Sequence, residues 1–212
     1  MPLIILDLFG VLILGSYKET CLWISKKYHL DYHEVYKIAY YKYFSAATLG
    51  KITEAKSFSL AAKELGLSET GAELRKIHMS FMKLNRPIFR LAQAWQKRGV
   101  KIVIFSKNTP PQFNEIVRLF SLRQYFPTII NSYNLGLEKK SFEALNYLSR
   151  RFRTSVDQIL MIDDQNYNFV NAKTMGIKTL LYKTPRLLER DVNNWLKNFY
   201  FFKVAKKIDR SK

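Results

Sequence analysis

The sequence predicts an α/β fold: a parallel sheet with helices on both faces and a helical segment inserted after the first strand. Three observations predict it. The chain opens on an apolar run, Leu3–Leu6, with a carboxylate directly behind it at Asp7. Further short apolar runs at 101–105, 128–131, 159–162 and 178–182 alternate with stretches of helical periodicity. Residues 16–82, by contrast, carry no convincing strand pattern. A run that lacks polar alternation suits a strand buried on both faces, which is the condition of a parallel strand.

The elements follow in order. Gly10 lets the chain turn away after the first strand. Trp23, Ile24, Tyr28 and Leu30, then Val35, Ile38, Ala39 and Tyr43, fall at helical spacings. Asp31 suits a cap for the second of these helices, with Glu34 three positions on. Thr53 and Glu54 open a third helix that Gly66 stops, and Ser68 begins a fourth through Leu74, Ile77, Phe81 and Met82. Pro87 begins a helix that ends at Lys97, Arg98 and Gly99. Pro110 and Pro111 read as a break before a helix over 113–120. Helices follow at 141–152 and 168–175, the second stopped by Gly176. Residues 185–212 read as an amphipathic helix on Leu188, Val192, Trp195 and Phe199 that runs into a basic end. The organisation is thus an α/β core over 1–14 and 86–200, a helical cap over 15–85 and a basic C-terminal tail over 201–212.

Composition bounds the function. The 212 residues carry 35 Lys and Arg against 17 Asp and Glu, a net charge of +18. Such a charge draws anions: phosphorylated metabolites, nucleic acid or an acidic membrane surface. The cations are spread along the chain, which favours a solvated basic surface over one binding block. The single cysteine, Cys21, excludes an intrachain disulfide and a cysteine zinc site and suits a reducing, cytoplasmic setting. No basic residue precedes the first apolar run and Asp7 interrupts it, so it reads as a core strand and not as a signal peptide. No apolar run reaches membrane-spanning length.

The carboxyl ends of the expected strands offer Asp7, Ser106, the stretch 136–139 with Lys139, and the pair Asp163 and Asp164. Such ends converge on one crevice in an open parallel sheet. Carboxylates can hold a hard divalent cation, most simply magnesium, and another carboxylate can attack phosphorus. A lysine offsets the charge that gathers there. The set suits phosphoryl transfer.

On these residues the chain resembles the haloacid dehalogenase superfamily of hydrolases, most of which are phosphatases. The motifs are Asp7-Leu8-Phe9-Gly10-Val11-Leu12, the apolar strand ending in Ser106, Gly136-Leu137-Glu138-Lys139, and Asp163-Asp164-Gln165-Asn166-Tyr167-Asn168. The resemblance covers nearly the whole chain and implies a Rossmann-like core. It also matches the branch with a helical cap between the first two motifs, nearest to sugar-phosphate phosphatases and the N-terminal phosphatase domain of soluble epoxide hydrolases. It implies that Asp7 is the nucleophile and a magnesium ligand, with the Phe9 carbonyl, Asp164 and Asp163 completing the metal set. Ser106 would hold phosphate oxygens, Lys139 would neutralise charge and Asn168 would orient the acidic loop. The expected substrate is a small phosphomonoester.

The sequence departs from that pattern at Phe9, where phosphatases of this family carry a second Asp that protonates the leaving group and then activates water. Lys107 and Lys140 replace the usual Asn and Pro and add positive charge near the anion site, where Lys107 can help hold substrate. Dehalogenase members also lack the second Asp, but they work without metal and do not keep the acidic pair. An impaired phosphatase is therefore the leading expectation. The alternatives are a non-catalytic relative that binds magnesium and a phosphorylated ligand, or a basic nucleic-acid or membrane-binding protein that reuses the fold. His29, His33 and His78 fall in the expected cap, where one could replace the missing acid–base group. Packing or solvent exposure is the commoner fate of such histidines. The cluster Tyr36, Tyr40, Tyr41 and Tyr43 reads as packing between cap helices more readily than as a pocket wall.

Overall fold

The computed structural model describes the backbone of residues 1–209 and the side chains of residues 1–199. Strand β1 (Leu3–Leu6) is followed by a tight turn and a short strand β2 (Ile13–Leu14). Helices then run from α1 (Tyr17–Tyr28) and α2 (Tyr32–Tyr36) through a π-helix (Lys37–Phe44) to α3 (Ser45–Thr48), α4 (Glu54–Glu64) and α5 (Gly71–Ser80). The chain returns through β3 (Lys83–Leu84), which pairs antiparallel with β2. Strand and helix then alternate: α6 (Arg86–Lys97), β4 (Lys101–Ser106), α7 (Pro110–Leu119), β5 (Ile129–Asn131), α8 (Phe142–Phe152), β6 (Ile159–Asp163), α9 (Val170–Thr174), β7 (Lys178–Leu181) and α10 (Pro185–Asp209).

The main sheet has the order β5-β4-β1-β6-β7, with every pairing parallel. β1 sits at its centre, with Leu6 level with Ile104 of β4 on one side and Ile162 of β6 on the other. Its four side chains are all inaccessible, each stabilising the fold by roughly 1.5–3 kcal/mol through burial. Side chains alternate across the sheet. Ile4 and Leu6 join Ile88 and Trp95 of α6, Ile116 of α7 and Val192 of α10 on one face. Leu3 and Ile5 join Leu145 and Leu148 of α8 and Ala172 of α9 on the other. The inserted helices bury a separate cluster around Tyr17, Ile24, Val35, Phe44, Phe58 and Leu74.

Several elements differ in detail from the sequence reading. Pro110 and Pro111 do not break the chain but open α7, where their missing N–H groups have no intrahelical partner to lose. The fourth inserted helix starts after Thr70, whose hydroxyl and Glu73 form a reciprocal capping box, and not at Ser68. Residues Asn166–Phe169 form a 3₁₀ turn before α9. β2 and β3 escaped notice because two residues carry no period. α10 continues through Asp209, so helix takes in most of the stretch read as a tail; residues 210–212 lie outside the described residues.

One buried carboxylate ties the insert to the sheet domain. Glu54, at the start of α4, accepts hydrogen bonds from Arg75 Nε of α5, from the Thr109 hydroxyl and from the Gln112 backbone N–H (3.0 Å). Thr109 is the N-cap of α7 and makes no side-chain cap bond. With prolines at the next two positions, Gln112 carries the first free N–H of α7. Glu54 therefore caps that helix from the other lobe, where a negative charge also suits the helix dipole. Arg75 extends the link to Glu115 of α7 at 2.7 Å. Replacing Glu54 by Ala strands these donors and should lower unfolding stability by about 2–3 kcal/mol. Urea denaturation checks this, and a loss under about 0.5 kcal/mol, the range of a surface substitution, would refute the clamp.

Candidate active site

Asp7 lies one residue past β1, its N–H bonded to the Ile162 carbonyl (3.0 Å). Ser106 ends β4 and Asp163 ends β6, the two neighbours of β1. Parallel pairing in register thus brings residues about 60 to 160 positions apart to one edge. Carboxylate oxygens of Asp7, Asp163 and Asp164 lie within 4.8 Å of one another. Lys139, in the turn before α8, places Nζ 2.6 Å from Asp7 Oδ1 and 2.6 Å from Asp163 Oδ2.

The three carboxylates differ in what holds them. Asp163 is inaccessible and saturated: besides Lys139 it accepts from Asn168 Nδ2 at 2.9 Å on both oxygens and from the Gln165 N–H at 2.8 Å. Asp7 Oδ1 accepts the Leu8 N–H (2.7 Å). Asp164 has a loose ion pair with Lys18 of α1 at 3.6 Å, and its Oδ1 is buried without a hydrogen-bond partner among the described residues. Gly10 makes room for it. At φ +86°, a Cβ on Gly10 would fall 2.5 Å from the Asp164 carboxylate. Ser106 Oγ is likewise buried without such a partner. Its loop is fixed by Asn131 of β5, which accepts the Asn108 N–H (3.2 Å) and donates to the Asn108 carbonyl (2.9 Å).

Electrostatics follow from crowding. Burial pushes the Asp7 pKa well above the usual carboxylate range, and Asp163 and Asp164 add to the rise against the pull of Lys139. Asp164 is raised by burial and by Asp163. Burial works against the Lys139 ammonium, but Asp163 and Asp7 outweigh it and hold the charge in place. An open buried acceptor beside crowded carboxylates, with glycine clearing the space, is a donor set that fits a hard divalent cation.

These groups line a cavity of about 70 Å³ between sheet and insert. The sheet side contributes Asp7, Phe9, Ser106, Lys107, Lys139, Asp164 and Asn168, and the insert contributes Tyr17, Tyr40, Phe44, Thr48 and His78. The structure therefore brings every sequence-derived site residue except Asp163 to the cavity wall, and Asp163 stands directly behind it, bonded to Lys139 and Asn168.

A family model for haloacid dehalogenase-like hydrolases matches residues 1–168. The chain belongs to that family. A curated relative, bifunctional epoxide hydrolase 2 of Mus musculus, is 25% identical over 107 residues. That match covers 49% of this chain and only 19% of the relative. A haloacid dehalogenase family enzyme of Bacteroides thetaiotaomicron, solved with magnesium and inorganic phosphate, superposes with a TM-score of 0.68 at 19% identity, covering 86% of this chain and 94% of its own. An L-2-haloacid dehalogenase superposes at 0.63 with 14% identity, covering 85% and 86%. At such identities the likeness shows the shared fold.

Within this family member the aromatic cluster divides. Tyr40 reaches the cavity, which Tyr167 and Gln165 of the acidic loop also line. Tyr36 stacks on it from the insert at 4.8 Å, and Tyr43 bonds to Glu64 away from the site. Phe9 is half-buried against the main core and lines the cavity. Cys21 is buried in the insert, its thiol pushed up to about 12 by burial, which suits packing and not nucleophilic attack. Lys107 is lowered by burial and by repulsion from Lys140 and Lys139, against the pull of Glu138. Tyr17, Phe44, Gln112 and Tyr167 are site residues the sequence reading missed. Tyr167 stood inside the acidic motif without a role of its own, and nothing in the sequence around Tyr17, Phe44 or Gln112 marks them as facing a site.

His29 and His33 are exposed, and His78 alone of the three histidines lies on the cavity. Gln112 Nε2 donates to His78 Nε2 (2.9 Å), which leaves the imidazole proton on Nδ1, facing Thr20 Oγ1 at 2.8 Å. Burial pulls its pKa down to about 3. Because that lies below the unfolded value of 6.5, the unfolded chain binds the proton first as pH falls. The neutral histidine's contribution is complete above about 6.5 and is lost progressively toward 3. Wild type should therefore lose about 2 kcal/mol between neutrality and pH 5 from this residue. His78→Gln should remove most of that slope in urea denaturation at the two pH values. An unchanged slope would mean that His78 is not held neutral.

Proposed function

We propose that this chain is a magnesium-dependent phosphohydrolase that acts on a small phosphomonoester through an aspartyl-phosphate at Asp7, with turnover slowed by Phe9. The observation that carries this reading is the meeting of Asp7, Lys139 and two buried, unpartnered oxygens, Ser106 Oγ and Asp164 Oδ1, at one cavity. Asp7, the Phe9 carbonyl and Asp164 would hold the magnesium ion, whose charge would draw the phosphoryl oxygens toward the nucleophile. Asp163, saturated by Lys139, Asn168 and Gln165, serves to position Lys139 and the acidic loop. Ser106 and Lys107 hold the remaining phosphoryl oxygens.

In the first half-reaction an Asp7 oxygen bonds to phosphorus and the bond to the leaving oxygen breaks. That oxygen needs a proton, which the Phe9 ring does not have. In the second half-reaction water must lose a proton as it attacks the aspartyl-phosphate. His78 does not fill the gap, since its acceptor nitrogen is taken by Gln112 and its pKa is far from neutrality. The crowding of three carboxylates argues against dehalogenation, because halide displacement offers no cation to offset two extra negative charges beside the nucleophile.

Two measurements test the reading. Calorimetric titration should show magnesium binding to wild type and at least tenfold weaker binding to Asp164→Asn; equal affinity would refute the site. An aryl phosphate, whose leaving group needs no proton, should give a burst of product followed by weak turnover. Phe9→Asp should raise the steady-state rate by about 10²–10⁴, and Asp7→Asn should abolish both phases. If neither wild type nor Phe9→Asp shows a burst while inorganic phosphate still binds, the protein is a non-catalytic binder instead.

A further inference from the structure

The excess charge is unevenly placed. Residues 15–85 hold 11 of the cations against 7 carboxylates, and the rest of the chain holds 24 against 10. In the insert, Lys27 pairs with Glu69, Lys37 with Glu34, Lys42 with Glu64 and Arg75 with Glu54 and Glu115. The sheet domain differs. Its strands are all parallel, so the helices between them end at the edge where the strands begin, opposite the candidate active site.

That edge is basic across its whole width. α6 ends in Lys97 and runs into Arg98, and β4 begins at Lys101. α7 ends near Arg118, with Arg123 in the turn before β5. α8 carries Arg150 and Arg151 in its last turn, with Arg153 just beyond. α9 carries Lys173 in its last turn, and β7 begins at Lys178. Lys101 Nζ bonds to the Phe152 carbonyl (3.1 Å), which brings the Arg151–Arg153 turn against the start of β4. All of these but Lys101 are exposed. Leaving Arg98 aside, none pairs with a carboxylate among the described residues. Among the described residues of the segments that link the sheet strands, Asp157, just before β6, is the acid that the same topology places at this edge.

Basic residues at helix ends complement the helix dipole. That accounts for Lys97, Arg118 and one residue each in α8 and α9. It does not account for cations at strand starts and beyond helix ends, nor for the near absence of acids between them. We propose that this edge is a binding surface for single-stranded nucleic acid, separate from the catalytic cavity. Six of the ten cations are arginines, whose planar forks suit phosphate oxygens. Four strand spacings of about 4.8 Å make the edge about 19 Å wide, enough for several consecutive phosphates. Tyr125 is 42% exposed beside Arg123, and Arg151 lies over the Tyr147 ring at 5.7 Å. These rings offer stacking partners for bases. Among the described residues the edge shows only Met1 and Leu119 as exposed non-aromatic apolar side chains, which favours a polyanion in water over a membrane needing apolar insertion.

Fluorescence anisotropy with a labelled single-stranded RNA, and in parallel the matching single-stranded DNA, tests this on the full chain. If about five phosphates are engaged, affinity should fall about 100-fold between 50 and 200 mM salt, a log–log slope near −3.5. The triple variant Arg123→Gln, Arg150→Gln, Lys178→Gln should bind at least tenfold more weakly with a slope shallower by about 2, and its circular dichroism should match wild type. The control triple Lys51→Gln, Lys56→Gln, Lys76→Gln removes the same charge from the insert and should change affinity less than threefold. Equal losses in the two triples would reduce the effect to net charge and overturn the proposal. So would no binding of either oligonucleotide at 50 mM salt, or binding only to phosphatidylserine vesicles.

Discussion

Three carboxylates whose oxygens lie within 4.8 Å of one another repel strongly where water is scarce, and Lys139 is what lets them share one wall. Its ammonium sits 2.6 Å from both Asp7 and Asp163. Asp163, bonded in turn by Asn168 and Gln165, fixes the loop that carries Asp164. Asp164 then lies over Gly10, where no side chain larger than hydrogen fits. The first strand, the third motif and the acidic loop are thus one electrostatic unit. One carboxylate is saturated, one is bonded on a single oxygen, and one keeps a buried oxygen without a hydrogen-bond partner among the described residues.

The insert completes the cavity and is held by equally polar means. Glu54 caps α7 across the interface, and His78 stands between Thr20 and Gln112. Buried links of this kind fix one geometry, because each misaligned donor would lose its partner without gaining water. The wall they position is aromatic, with Tyr17, Tyr40, Phe44 and Phe9 facing the acidic floor. Phe9 therefore changes two things at once. It leaves no ionisable group at that point of the wall, and it extends the apolar lining down to Asp7.

Parallel topology also sorts charge. Strand ends gather carboxylates at one edge, and helix ends gather arginines and lysines at the other. An overall charge of +18 is thus compatible with a cavity lined by clustered carboxylates, because the two signs occupy opposite ends of the strands.

The sequence by itself determined the sheet strands, the helical insert and the motif residues. Buried parallel strands leave continuous apolar runs, and a carboxylate or hydroxyl ending such a run is visible as a break in it. Asp7, Ser106, Asp163 and Asp164 were legible for that reason, and Lys139 by its place in a motif. Only the tertiary structure decided which residues of the insert face the site. Tyr40 and Tyr36 share a helix face and a spacing, yet Tyr40 reaches the cavity and Tyr36 packs behind it. His78 had the same standing as His29 and His33 until folding buried it against Gln112. The Glu54 clamp and the basic edge were equally hidden. Each is made of residues far apart in the chain, and charge has no period along a sequence; only strand order and the packing of one lobe on the other bring such groups together.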